Sequence, residues 1–176
     1  YHNVSLALEA SRLLAANGIV CSSQLALQAV RETIWPGRLQ HLKYQGHPFW
    51  IDGAHNPEAI TALLDSFSDQ KLILILGTMR DKALAEMLHL LRPQVLYWIC
   101  CPIQQPQALN PQEIEVAARA EKIPLFSLYK ASSLEDALVS AIAYSSEFAS
   151  PFGKKPAILI TGSLFLVGEV LDLLQT

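Results

Sequence analysis

The stretch 71-KLILILGTMRDKALAEMLHLLRPQVLYWIC-100 decides how this chain folds. Lys71–Gly77 and Val95–Cys100 are apolar at successive positions rather than alternate ones. Strands with helices packed over both faces have that pattern. Lys82–Leu91, between them, reads as a helix, so the stretch is one strand–helix–strand unit. Outward from it the alternation continues. Strands are expected at Pro124–Leu128 and Ala157–Thr161, with helices at Pro57–Phe67, Pro111–Ala120, Ser133–Phe148 and Ser163–Leu174. Upstream, Leu39–Lys43 and Pro48–Asp52 read as paired strands joined by a turn at Gln45-Gly46.

The helix starts are marked by capping residues. Asn56-Pro57 and Asn110-Pro111 each set a capping Asn before a Pro at the first helical position. Ser132, with Glu135 three residues on, has capping-box spacing. The expected fold is therefore α/β: a Rossmann-like, open, mostly parallel sheet of about six strands with helices on both faces. A short helical segment precedes it. Leu6, Leu8, Ala10, Leu13 and Leu14 form one helical pattern, stopped at Asn17-Gly18. Ser23 is the expected N-cap of a second, running through Leu25, Leu27, Ala29 and Val30 to about Ile34. Trp35-Pro36-Gly37 breaks it, and the domain boundary is placed there. The chain opens inside a helical pattern without an initiator Met, which leads us to expect a piece of something longer.

Composition excludes several function classes. Hydrophobic residues make up 51% of the 176 positions and charged residues 16%, which favours a filled core over disorder. The net charge is −3 with no run of Lys and Arg, so no nucleic-acid footprint is expected. Apolar runs such as Leu72–Leu76 and Val95–Cys101 fall well short of a bilayer span, and YHNVSLALEAS has no basic signal-peptide start. The three cysteines, Cys21, Cys100 and Cys101, lack CxxC spacing. Adjacent Cys100 and Cys101 should point to opposite faces of a strand as buried, reduced thiols, in keeping with a cytoplasmic protein. There is no internal repeat and no low-complexity tract.

In open α/β sheets ligands collect outside the carboxyl ends of the strands. Three such ends carry polar residues: Asp52-Gly53-Ala54-His55-Asn56-Pro57, Gly77-Thr78-Met79-Arg80-Asp81-Lys82 and Thr161-Gly162-Ser163. Each is expected to precede a helix N-terminus, where free N–H groups favour an anion. Taken singly, each has a plainer explanation. Asp52 would close a strand, Asn56 and Ser163 would cap helices, His55 would be a loop histidine, and Lys82 a solvated helix residue. Their convergence on one edge favours a site. No GxGxxG follows a strand and no GxxxxGK[ST] is present; Phe152-Gly153-Lys154-Lys155 reads as a surface turn. Ser163 lies in TGSLF rather than GxSxG, and the histidines at 2, 41, 47, 55 and 89 lack zinc-ligand spacing, so no metal site is assigned.

WPGRLQ (35–40), WIDGAHNPEAI (50–60), GTMRDKALAEML (77–88) and LITGSLFLVGEVL (159–171) together resemble the folylpolyglutamate synthase and dihydrofolate synthase family, ATP-dependent amide ligases related to the cell-wall Mur ligases. YHNVSLALEASRLL is similar to a helix near the end of that family's central ATPase domain. The resemblance implies residues 1–34 as a helical remnant of that domain, 35–38 as a linker and 39–176 as the Mur-ligase-type C-terminal domain. It implies a full enzyme that joins L-glutamate to dihydropteroate or a folate through an acyl phosphate made from ATP with Mg²⁺. A fragment of this length would be inactive alone and would pack on the missing N-terminal and central portion, where the P-loop and Mg²⁺ ligands are expected. It places Asn3, Arg38, Asp52 and His55 at ATP, with His55 also the candidate catalytic residue, and Lys82 and Ser163 at glutamate. Neither Arg38 nor Asp52 is expected in the core. Gln107 after Pro106, and Ala83 after Asp81-Lys82, depart from the family pattern. The alternatives are a Mur- or cyanophycin-type amino-acid ligase domain and a non-catalytic small-molecule binding module.

Overall fold

A computed structural model of the chain describes residues 2–19, 22–33, 35–147 and 155–175. It divides into two compact units, Tyr1–Pro36 and Gly37–Thr176. In the first, α1 (His2–Ala16) and α2 (Ser23–Glu32) touch each other, yet none of the unit's described residues is buried. Leu6, Leu13, Leu25 and Leu27 remain exposed. The cap of α2 is Ser22, not the expected Ser23: the Ser22 hydroxyl accepts the Leu25 amide at 3.1 Å, and the helix starts one residue later. Cys21, Ile34 and residues 148–154, which include all but Lys155 of the expected Phe152–Lys155 turn, lie outside the described residues.

The second unit carries a six-stranded sheet. In chain order it runs β1 (Gln40–Tyr44), β2 (His47–Ile51), α3 (Pro57–Asp65), β3 (Leu72–Leu76), α4 (Leu84–Leu91), β4 (Val95–Cys100), α5 (Pro111–Ala120), β5 (Leu128–Lys130), α6 (Leu134–Glu147), β6 (Ala157–Thr161) and α7 (Leu164–Gln175). The strand order is β1-β2-β6-β3-β4-β5. Only β1–β2 is antiparallel. Gln45 (φ 49°) and Gly46 (φ 80°) make the two-residue turn of that hairpin, and positive φ at both positions is the conformation whose twist suits paired strands.

The central strands are buried throughout, and their alternation sorts two cores. Leu72, Leu74 and Leu76 face one side, with Ile60 and Leu63 of α3, Leu88 of α4 and Ile114 of α5. Ile73 and Ile75 face the other, with Leu138 of α6 and Val167 and Val170 of α7. Cys100 belongs to the first core and Cys101 to the second, as the period-two geometry of a strand requires. Burying each such side chain contributes about 1.5–3 kcal/mol, and most of the stability of this unit comes from the two cores.

Helix caps follow the sequence at α3, where Asn56 accepts the Ala59 amide, and at α5, where Asn110 and Glu113 form a reciprocal capping box. Three expectations need correction. Pro124–Leu128 is not a strand. Leu125–Ser127 is a single 3₁₀ turn, closed by Ser127 N–H and Oγ donating to the Pro124 carbonyl, and β5 begins only at Leu128. The cap of α6 is Ser133, which accepts the Asp136 amide at 3.2 Å while the Asp136 carboxylate takes the Ser132 N–H and O–H. Lys82 does not begin a helix: its amide closes a turn onto Met79 O, and α4 starts at Leu84. No described helix is long and apolar enough to cross a membrane.

Candidate functional site

The carboxyl ends of β2 and β6 are tied together by hydrogen bonds, and Gly77 N–H, just past β3, donates to Thr161 O at 3.4 Å. Asp52 N–H donates to Ile160 O at 3.0 Å, Gly162 N–H to Ala54 O at 2.9 Å, and the buried Thr161 hydroxyl to the same Ala54 O at 3.1 Å. Gly162 sits at φ +108°, and a Cβ there would lie 2.5 Å from Gly77 O, so only glycine lets the β6 and β3 loops approach this closely.

A cleft of about 510 Å³ opens at this edge. Its polar lining comprises His55, Asp81, Lys82, Gln105, Gln107 and Ser163, with Met79 and Phe165 among the apolar walls. Three of the sequence-predicted residues, from three different loops, thus meet in one space. His55 Nδ1 lies 2.7 Å from Gly53 O. A carbonyl only accepts, so Nδ1 carries the proton and Nε2 is left to a ligand. Lys82 Nζ pairs with Asp81 Oδ2 at 2.9 Å, and this ammonium holds the Asp81 carboxyl below its usual range. The loop carrying both is braced by Arg80, whose guanidinium makes a two-pronged bond to Glu113 at 2.7 and 3.0 Å. Ser163 is 2% exposed, and its Oγ accepts the Phe165 amide at 3.1 Å, which makes it a helix cap as well as part of the lining.

The other predicted residues lie elsewhere. Asn3 is on α1 in the first unit. Arg38 is exposed and does not line the cleft. It follows Gly37 (φ 70°) and precedes Leu39 (φ 43°), both in the left-handed region. Asp52, expected outside the core, is buried at 9% exposure. Its Oδ2 accepts the Leu39 amide and its Oδ1 the Ala54 amide, each at 2.8 Å. A strand-terminal carboxylate is buried here because two backbone donors satisfy it. Among the described residues no group of three or more His, Cys, Asp or Glu side chains could hold a metal ion.

The family model described as "Mur ligase, glutamate ligase domain" matches residues 37–164, which take in all six strands and α3 to α6. The chain belongs to the Mur ligase glutamate-ligase-domain family. Among curated relatives, the dihydrofolate synthase/folylpolyglutamate synthase of Bacillus subtilis is 23% identical over 184 residues, covering 96% of this chain and 37% of that protein. The Mycobacterium tuberculosis folylpolyglutamate synthase, solved with ADP and AMPPCP, superposes with a TM-score of 0.81 at 24% identity, over 92% of this chain and 37% of that one. A bifunctional folylpolyglutamate synthase/dihydrofolate synthase solved with Mn, AMPPNP and L-glutamate gives a TM-score of 0.69 at 24% identity, over 89% and 36%. The chain thus spans little more than a third of these proteins. Within this glutamate ligase domain, sequence reasoning passed over Gln105 and Asp81 as site residues. Asp81 had one signal, its adjacency to Lys82. Gln105 had none, because the loop after β4 reaches the cleft only through tertiary ties: Gln104 N–H to Glu169 at 2.7 Å and Arg80 N–H to Gln107 O at 2.9 Å.

Proposed function

We propose that this chain is the C-terminal domain of a cytoplasmic ATP-dependent ligase of folate metabolism, which joins L-glutamate to dihydropteroate or a folate through an acyl phosphate. The observation that carries the reading is the meeting of His55, Lys82 and Ser163 in one cleft of a glutamate ligase domain. Lys82 and Ser163 bind the carboxylates of glutamate, a task suited to an ammonium and a hydroxyl donor. His55, with Nδ1 committed to Gly53, turns Nε2 to the nucleotide phosphate or to the incoming amine. Asn3, Arg38 and Asp52 serve the nucleotide side. Residues 1–34 belong to the preceding ATPase domain, and 35–38 form the linker. In the reaction the glutamate nitrogen attacks the acyl-phosphate carbonyl and loses a proton. The C–N bond forms, the C–O bond to phosphate breaks, and phosphate leaves. This domain's residues orient the amine and neutralise charge. Mg²⁺ would be held by the portion of the ligase outside this chain, since the described residues form no donor set for it.

The test is phosphate release by the full-length protein from ATP, with dihydropteroate or a folate and a panel of amino acids. Release dependent on both the pterin substrate and glutamate is expected, with none from residues 1–176 alone. Release driven by another amino acid with a different acceptor would replace this reading with a Mur- or cyanophycin-type ligase. ATP-independent ligand binding without turnover would leave a binding module.

A further inference from the structure

The turn that carries Arg38 adopts a backbone that its sequence does not favour. Gly37 at φ 70° is at ease in the left-handed region, but Leu39 at φ 43° is not, because its Cβ crowds the following carbonyl. Three hydrogen bonds hold the turn: Gly37 N–H to Gln40 Oε1 at 2.9 Å, Gly53 N–H to Gly37 O at 2.8 Å, and Leu39 N–H to Asp52 Oδ2 at 2.8 Å. Only the last involves a carboxylate acceptor, and that acceptor is buried. The other oxygen of the same carboxylate receives the Ala54 amide, in the loop that carries His55. Each oxygen of this one carboxylate therefore holds one backbone amide, and the side chain bridges two loops.

We propose that Asp52 is a positioning residue: its carboxylate clasps the Gly37–Leu39 turn to the Gly53–His55 loop and so fixes where Arg38 and His55 stand relative to each other. Asp52 then supports nucleotide chemistry by holding the exposed guanidinium of Arg38 in a left-handed turn. The kinetic part of this inference rests on the proposed role of Arg38 at ATP; the clasp does not.

Amide hydrogen exchange on the full chain tests the clasp, comparing wild type with Asp52→Asn and Asp52→Ala. The Asn side chain is nearly isosteric but has one acceptor oxygen, so one of the two amides, Leu39 or Ala54, must lose its partner. That amide should exchange at least about tenfold faster in Asp52→Asn, and both should in Asp52→Ala. Amides of β3 and β4 should keep wild-type protection, which separates a lost clasp from global unfolding. In the full-length ligase, Asp52→Asn should raise the KM for ATP, and combined with Arg38→Ala it should cost less than the sum of the two single effects, the remainder coming from the His55 loop. Unchanged exchange at Leu39 and Ala54 overturns the proposal, and so does full additivity of the two substitutions. If Arg38→Ala leaves ATP kinetics untouched, the nucleotide role of Arg38 falls, and the exchange data alone decide the clasp.

Discussion

Lys82 and Ser163 line the same cleft but have different second duties, so their variants should differ in stability while agreeing in kinetics. Ser163→Ala removes the acceptor for the Phe165 amide and should cost about 0.5–2 kcal/mol, the usual loss for a helix cap. Lys82→Ala releases an exposed Asp81 carboxylate and should leave the melting temperature where it is. In the full-length enzyme each should raise the KM for glutamate by roughly tenfold or more, and the KM for ATP far less. Steady-state kinetics paired with melting curves check both halves, and an unchanged glutamate KM in both variants would end the assignment. Much of this site was legible, since strand ends can be located from apolar runs and the parallel sheet gathers those ends on one edge. Asp52 was misplaced for a physical reason. Its Leu39 partner lies 13 residues back, on the far side of a hairpin, and no local pattern announces a buried carboxylate whose donors come from the backbone.

At the scale of elements, apolar runs and Asn-Pro caps located the helices and strands, and errors arose where two residues competed for one task. Ser22 and Ser23 both qualify as caps, as do Ser132 and Ser133, and the choice depends on which hydroxyl reaches an amide. The 3₁₀ turn at Leu125–Ser127 looked like a strand because Leu125 and Phe126 are apolar, yet Phe126 is 88% exposed. Two glycines flanking this edge make opposite predictions. Gly162→Ala places a Cβ against Gly77 O at φ +108° and should destabilise by about 2 kcal/mol or more. Gly168, inside α7, has nothing within 4 Å of a built Cβ, so Gly168→Ala should stabilise by about 0.5–1 kcal/mol. Denaturant melts of the two variants decide the matter: equal effects, or effects of the reverse sign, would mean that the loop packing at β6 is not as described.

For the molecule as a whole, the sheet with a core on each face makes stability depend on alkaline pH. Burial pushes the Cys100 thiol up to about 12, with Glu115 adding to the shift, and the Cys101 thiol to about 12, with Glu169 adding. Unfolded thiols ionise near 9, so this contribution is complete below pH 9 and is lost as pH rises from 9 toward 12. At pH 10 the loss should be about 1.4 kcal/mol per thiol. A Cys100→Ala, Cys101→Ala double variant should therefore melt lower than wild type at pH 8, with the gap narrowing by pH 10; a constant gap would contradict the burial. The position of β6 has a consequence for synthesis as well. It comes after the other five strands in the chain, yet it lies between β2 and β3, so the described residues before it hold two strand groups, β1–β2 and β3–β4–β5, with no ladder between them. A ribosome must release the chain through Thr161 before the sheet can close, and until then the facing edges of β2 and β3 stay open to wrong partners.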